Sequence, residues 1–567
     1  MILNRICISA LLLLIITAYS FSQNSAAITY KYRFEGKDLD DMPRLLLKYK
    51  NNMVKFVSLQ DESKKRADET NYLDYNNRKT YQSVLFKDGK RYTTEESFDN
   101  YPKPEITDET TEILGFKCRK ATVVIRSNHI DIWYTTNAGV KGSPALNIGP
   151  ELGLVLKIVR NNNFETIAEK IDLTEFDYKD VKLPDDIGEM VDLPTYREKV
   201  IENNFITVRI FDKEKINFGD TIVNPTDESS SLTFRFSKGT VIMKKVKLPE
   251  NIYDHTLFAE LTEISNGDAY DRTGSMFMIP IGGKITFLEA LKEGLDKIPS
   301  YTGNNGKKYQ GIISTDNYNT PIELVRFITP FGINKYNEQV TVKGIKWEDS
   351  VTYKQDLTDL MPVLQGEVWI GVFIGCYDKG GHIVSLKLKY HPDDLDAQTV
   401  NERKFWVQPL FNTVNLMEMS GQEYGTVFEN DTLKVTVDIP EGLKNLKLRY
   451  ISTGHGGWGG GDEFNPKMNE IFVDNNAVYK FIPWRSDCGT FRKFNPASGN
   501  FPNGISSSDY SRSGWCPGTT ANPVDIPLNN ISPGKHVIKV FIPIGKPEGN
   551  STSAWNVSGV LIGERAH

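Results

Sequence analysis

The stretch LKLRYISTGHGGWGGGDEFNPK, Leu446–Lys467, joins two patterns. From Leu446 to Tyr450 apolar and polar residues alternate, the two-residue period of a strand with one buried face. From Gly454 to Gly461 six of eight residues are glycine, and the run ends on the carboxylates of Asp462 and Glu463. Glycine at that density costs about 0.5–1 kcal/mol per residue where regular structure is wanted, so the run is a loop that lets backbone approach something closely. A phosphate loop needs Gly-Lys-Ser/Thr opening a helix, and a dinucleotide fingerprint needs a strand–turn–helix unit. Here a second strand pattern, NEIFVDNNAVYKFI (Asn469–Ile482), follows instead, and both nucleotide readings fail.

Working outward, the same short alternating runs recur along the chain: ITYKYRFEG from Ile28, MVKFVSLQ from Met53, KATVVIRSNHIDIWYTT from Lys120, TLFAELTEIS from Thr256, HIVSLKLKYH from His382 and HVIKVFIPI from His536. Many short strands at modest spacing imply antiparallel sandwiches and an all-β chain rather than a parallel α/β sheet. ITFLEALKEGLDKI (Ile285–Ile298) carries apolar residues at helical spacing and predicts one surface helix. DLPTYREKVIENN (Asp192–Asn204) reads as a helical linker. With 567 residues the chain is too long for one ordinary domain. The expected division is a signal peptide at 1–22, a β-rich front domain at 23–190, a linker at 191–204, and two sandwiches at 205–395 and 396–567.

Composition removes several functions. Net charge is −6 and no Lys/Arg block stands out, so a nucleic-acid surface is not expected. The leader MILNRICISALLLLIITAYSFSQ has the form of a secretory signal, and no later run reaches the ~20 apolar residues of a membrane span, so an exported protein without membrane insertion is expected. The seven histidines show no paired spacing that would support zinc or copper, which leaves calcium on Asp462 and Glu463 as the remaining metal reading. No cofactor is expected. Of the cysteines beyond the leader, Cys488 and Cys516 share one Gly/Pro/Ser-rich segment where a bridge would contribute about 3–4 kcal/mol in the chain-entropy model. Cys118 and Cys376 read as buried free thiols. Exposed acids, aromatics and flexible backbone suit a polar neutral ligand such as a carbohydrate. On composition alone, a plain connection between sandwich strands, its acids solvated, is the favoured reading.

Three segments weigh on that choice: VRIFDKEKINFGD (Val208–Asp220); NGDAYDRTGSMFMIP (Asn266–Pro280) with ELVRFITPF (Glu323–Phe331); and the run from LKLRYISTGHG through GDEF to SRSGWCPGTTANPVDIPLNN (Ser511–Asn530). Together they resemble the peptide:N-glycosidase F family over residues 205 to 565. That resemblance implies two eight-stranded antiparallel jelly rolls side by side, with a metal-independent amidase site along their interface. The substrates it implies are N-glycosylated peptides or glycoproteins, cut between Asn and the innermost N-acetylglucosamine to leave Asp and a glycosylamine. It places the main catalytic carboxylate on Asp271, flanked by Tyr270 and Arg272, and a second acid on Glu463. Arg512, His455, Trp458 and Asp462 are expected near the sugar, and Cys488–Cys516 matches a family disulfide. Trp515 and Pro517 are expected to be structural. A further family acid followed by Trp falls on Phe373 and Gly375, with Glu367 and Trp369 repeating the spacing six residues earlier, so the sugar pocket is remodelled. The alternative is a non-catalytic glycan-binding protein on the same jelly rolls. A monomer, periplasmic or secreted, is expected. In the front domain, TEILGFKCRKATVVI (Thr111–Ile125) resembles the GLPGLI family of exported proteins, and an accessory module is expected there.

Overall fold

The computed structural model describes residues 25–565 apart from 61–66, 220–221, 230–231, 281–282, 305, 394–403, 430, 457–460, 529 and 545–552. The leader and Trp458 therefore lie outside the described residues. The chain forms two compact units, divided between Asn204 and Phe205.

The front unit is one large, almost wholly antiparallel sheet. Its strand Ser25–Phe34 pairs with Phe164–Asp172 on one side and with Leu45–Lys50 on the other. The alternation of ITYKYRF turns Ile28 and Tyr30 inward against Leu47, Val54 and Leu156. Cys118 is buried in the same cluster as a free thiol. The predicted linker is a helix, Leu193–Asn203, capped by Asp192 accepting from the Thr195 amide at 2.8 Å. It belongs to this unit, burying Tyr196 against Val84 and Phe86.

The second unit holds two sandwiches. In the first, the sheet Ile206–Ile216, His382–Pro392, His255–Ser265, Val351–Asp356 faces a six-stranded sheet. That sheet runs Phe234–Phe236, Val241–Leu248, Gly366–Ile374, Thr273–Ile279, Ile322–Ile328, Thr519–Ala521. Leu257, Leu261, Met276, Leu324, Val368 and Leu386 fill the space between them, each contributing about 1.5–3 kcal/mol relative to exposure. The second sandwich packs Phe405–Asn412, Ala554–Arg565, Leu443–His455, Val524–Pro527 on Leu433–Ile439, Gly534–Phe541, Asn469–Val473, Asn476–Phe481. The predicted surface helix is Phe287–Glu293, its Phe287 and Ala290 turned into the core.

The six-stranded sheet is covered on both faces. Phe277 and Phe373 on its far side join the core of the second sandwich with Phe411, Leu448 and Trp555. This explains why IELVRFI is buried at every position and does not alternate. Within it, Arg326 is fully buried and forks onto Glu323 at 2.6 and 2.7 Å, then reaches Thr453 and the Asn556 carbonyl of the second sandwich. Ser275 and Ser558 donate to the same Glu323 carboxylate, one from each sandwich. A buried ion pair is tolerated only when its donors and acceptors are filled, and here both sides of the interface fill them. Strand Thr519–Ala521 comes from the second half of the sequence yet pairs with Ile322–Ile328 of the first sandwich.

Candidate active site

Asp271 sits on the turn between His255–Ser265 and Thr273–Ile279. Asp268 builds that turn, accepting from the Tyr270 amide at 3.0 Å while its carbonyl accepts from Ser265 at 2.6 Å. Thr329, from RFITP, accepts from the Arg272 amide at 2.8 Å and donates to the Tyr270 carbonyl at 3.1 Å, stapling the residues either side of Asp271. Arg272 lies on Asp268 at 2.8 and 3.3 Å, so its charge is taken up by a neighbour rather than by Asp271 alone. Below Asp268 is a buried chain. His382 shares a hydrogen bond of 2.8 Å with Glu263 through Nδ1, and its Nε2 stands 3.8 Å from Asp268, a charge pairing rather than a hydrogen bond. Burial works to neutralise His382, but Asp268 and Glu263 outweigh it and raise it to about 9. Burial likewise works to raise Asp268, and His382 and Arg272 overcome it, holding that carboxyl at about 2. Asp271 therefore stands above a buried pairing of opposite charges.

Glu463 comes from the glycine loop of the second sandwich. Its amide donates to Gly456 and its carbonyl accepts from Ser513. Gly454 permits this closeness, since a Cβ there would meet the Trp555 ring at 2.7 Å and Ser513 at 2.8 Å. Gly514, at φ 82°, lets the following loop press against the Ser452 carbonyl. That loop carries Arg512, whose side chain is 1% exposed. Its Nε donates to Glu463 at 2.9 Å, and its Nη2 lies 3.5 Å from the Asp271 carboxylate. Nη1 donates to the Ser507 carbonyl at 2.6 Å, while the guanidinium lies over Phe464 and Trp515 at 4.9 and 4.8 Å. The Cys488–Cys516 disulfide closes this segment.

One arginine thus joins an acid from each sandwich. Burial, then the Glu463 charge, pushes Asp271 up to about 7, with Arg512 pulling the other way. Burial raises Glu463 as well, again against Arg512. The pair opens into a cleft of about 690 Å³ lined by Tyr270, Phe331, Phe464, Phe501 and Ser507. Among the described residues no group of three or more His, Cys, Asp or Glu is placed to hold a metal.

Other expected residues fall elsewhere. Asp462 is fully buried, its carboxylate accepting from the Trp555 indole at 2.9 Å, because successive residues of the loop turn to opposite sides; the expectation of a sugar contact is corrected. His455 bonds Thr453 at 2.8 Å and stacks on Trp515 at 5.4 Å, and burial, with Arg326 and Arg512 nearby, lowers it to about 3 and keeps the imidazole neutral. Trp515 is buried, donating to the Gly454 carbonyl at 2.8 Å. Glu367 and Trp369 lie toward the far end of strand Gly366–Ile374, about 20 Å at strand rise from the end where Ile374 pairs with Gly274. Glu367 meets Lys245 there, and Trp369 packs on Phe234. Phe373 is buried in the core. Asp268, Thr329, Glu263 and His382 were not singled out from sequence. The Asn-Gly-Asp turn signal could have found Asp268, whereas nothing local marks His382.

Two jelly rolls sharing one buried sheet, with carboxylates from both meeting on an arginine in the interface cleft, define a double jelly-roll protein whose site is built by the pairing itself. Family models for peptide-N-glycosidase F match residues 207–390 (its N-terminal part) and 423–562 (its C-terminal part), and the chain belongs to that family. Residues 28–198, likened above to GLPGLI proteins, are matched by the N-terminal domain of the N-glycanase peptide family. The structure of PNGF-II in a P21 crystal form is 43% identical, with a TM-score of 0.88 over 96% of this chain and 100% of its own. In a C2 form the values are 43%, 0.85, 96% and 98%. PNGase F from Flavobacterium meningosepticum, a glycosylasparaginase, is 16% identical over 64% of this chain and 97% of its own, with a TM-score of 0.43. No curated protein sequence matches the chain.

Proposed function

We propose that this protein hydrolyses the amide between an Asn side chain and the innermost N-acetylglucosamine of N-glycosylated peptides or glycoproteins, releasing the glycan as a glycosylamine and leaving Asp. The observation that carries this reading is Arg512 held between Glu463 and Asp271 in the cleft between the sandwiches. An amide resists water at neutral pH, so a base near that pH is the useful one. Asp271, raised to about 7, is ionised in an appreciable fraction there and takes a proton from water as its oxygen attacks the amide carbon. The bond to nitrogen then breaks as the proton held by Asp271 passes to that nitrogen, which departs as the glycosylamine. Glu463, held by Arg512, accepts sugar hydroxyl or amide hydrogens and steadies the leaving group. Tyr270, 63% exposed, offers a ring face to the sugar. Arg272 orients Tyr270 and the turn rather than binding sugar with its whole fork, since Asp268 occupies part of it. Trp458 remains a proposed sugar contact.

Export is part of the proposal, because the Cys488–Cys516 disulfide requires an oxidising compartment to form and persist. No helix among the described residues is long and apolar enough to cross a membrane. We propose a monomer. Phe373, apolar and buried where the resemblance puts an acid, favours the second reading of a glycan-binding protein without turnover.

One experiment separates the two. An N-glycopeptide is incubated with the protein in ¹⁸O-labelled water and weighed by mass spectrometry. Conversion of the glycosylated Asn to ¹⁸O-labelled Asp is expected. A peptide retaining one N-acetylglucosamine would refute the amidase in favour of a glycosidase, and an unchanged glycopeptide that still binds would leave the binding protein.

A further inference from the structure

We infer that the front unit carries a saccharide pocket of its own, floored by Phe56, Asn71 and Gln82 and walled by Tyr101, Asn147 and Arg197, which takes a neutral pyranose. The inference does not depend on the amidase reading.

Four neighbouring strands of the front sheet set the floor. Phe56 on Met53–Ser58 pairs with Asn71 on Ala67–Asp74. Asn71 pairs in turn with Gln82 on Lys79–Phe86, and Gln82 with Thr94 on Arg91–Ser97. Residues paired in this way point to one face, with Cβ atoms about 4.5–5.5 Å apart. Two residues along, Val54 and Leu73 stand on that same face and belong to the buried core with Phe56. The face therefore changes from core to a polar row within one strand spacing. Thr94, at the end of the row, is 1% exposed, and its Oγ1 has no hydrogen-bond partner among the described residues. A buried polar group left unmatched is the exception in folded proteins and calls for a partner from outside the chain.

The walls come from three separate segments. Tyr101 follows the short turn Phe98–Asn100, its hydroxyl held by Thr80 at 2.6 Å and by Glu96 at 3.1 Å. Asn147 comes from the loop before Leu154–Arg160. The helix Leu193–Asn203 adds Leu193 and Arg197, four residues apart and so on one face. Together they enclose about 410 Å³, a volume within the range of small-ligand sites.

The lining selects the ligand. It holds one acid, Glu96, and one base, Arg197, and so favours no net charge. Asn71, Gln82 and Asn147 each donate and accept at once, which suits hydroxyls that do the same. Phe56 and Tyr101 supply apolar area for the C–H face of a ring. An anion would meet Glu96, and an apolar ligand would strand the amides. A pyranose, polar at its rim and apolar on its face, leaves neither unmatched.

The test is calorimetric titration of the full chain with two free neutral oligosaccharides, mannopentaose and N-acetyllactosamine. The native protein should bind at least one of them. Asn71→Leu with Gln82→Met keeps the bulk of both side chains and removes their hydrogen bonds, and should weaken that binding about tenfold with Tm unchanged. Should the pair lower Tm, Arg197→Met on the exposed helix face repeats the test without touching the sheet, and weaker binding by it upholds the pocket. Absent native binding of both sugars, or native affinity in these variants, overturns it. Binding that Glu463→Gln abolishes and the front-unit variants spare would place the sugar in the catalytic cleft and equally overturn it. So would tighter binding of an unglycosylated peptide than of either sugar, which would make the pocket a peptide site.

Discussion

The two acids of the cleft are supported in opposite ways. Asp271 stands on a seven-residue connection between two strands, braced by Asp268, Thr329 and Arg272 with the Glu263–His382 pair beneath. Glu463 stands on a glycine loop, held by one arginine whose own segment is tied by a disulfide. The first is held by buried charge pairing beneath its turn, the second by one arginine in a disulfide-closed segment. An interface site can thus place one group by secondary structure and adjust the other by loops, which is where remodelling of a sugar pocket is least costly to the fold.

Asp271→Asn should give the largest effect: turnover about 10²–10⁴-fold lower with an unchanged circular dichroism spectrum. Native turnover by this variant would remove Asp271 from the role proposed. On the rigid side, His382→Leu leaves Glu263 and Asp268 buried without their cation, and should cost about 3–5 kcal/mol in denaturant unfolding while kcat well below Tm stays near native. The sign follows from His382, which at about 9 lies above its unfolded value near 6.5. Its contribution is full below about 6.5 and is lost as pH rises through about 9. On the looped side, Cys488→Ala with Cys516→Ala should cost about 3–4 kcal/mol in the chain-entropy model and lower turnover through Arg512 and Glu463. Equal loss of kcat in the His382 and cysteine variants would erase the distinction between the two supports. Glu463→Gln should lower kcat about ten- to hundredfold. Smallest is a pH effect. Asp271 holds its proton more tightly when folded, so the stability it confers is present below about 4 and is lost as pH rises through about 7. Asp271→Asn should therefore gain a few degrees in Tm over the native chain at pH 8 and nothing at pH 4, as differential scanning fluorimetry can check.

The alternating runs made the sandwiches legible, because each strand with one wet face writes its burial into the sequence. The shared sheet was harder. SMFMIPI and IELVRFITPF do not alternate since both their faces are covered, which marks a buried strand without saying by what. At the site, the resemblance pointed to Asp271, Glu463 and Arg512, which the structure brings together, while composition alone did not separate Glu463 from Asp462, which the loop turns inward. Glu263, His382 and Asp268 meet across more than a hundred residues of chain, and Glu418 reaches Gly375 from another sandwich. No local pattern encodes such meetings.

The strand Thr519–Ala521 makes the two sandwiches a poor pair of independent parts. A fragment ending near residue 395 would lack the edge that its six-stranded sheet borrows from the later sequence, and Arg326 would lose Thr453 and Asn556. The same borrowing makes the pair a natural split reporter. Two halves expressed apart should stay silent and, on meeting, complete one another's sheet and cleft together, so that glycan release would read out their association.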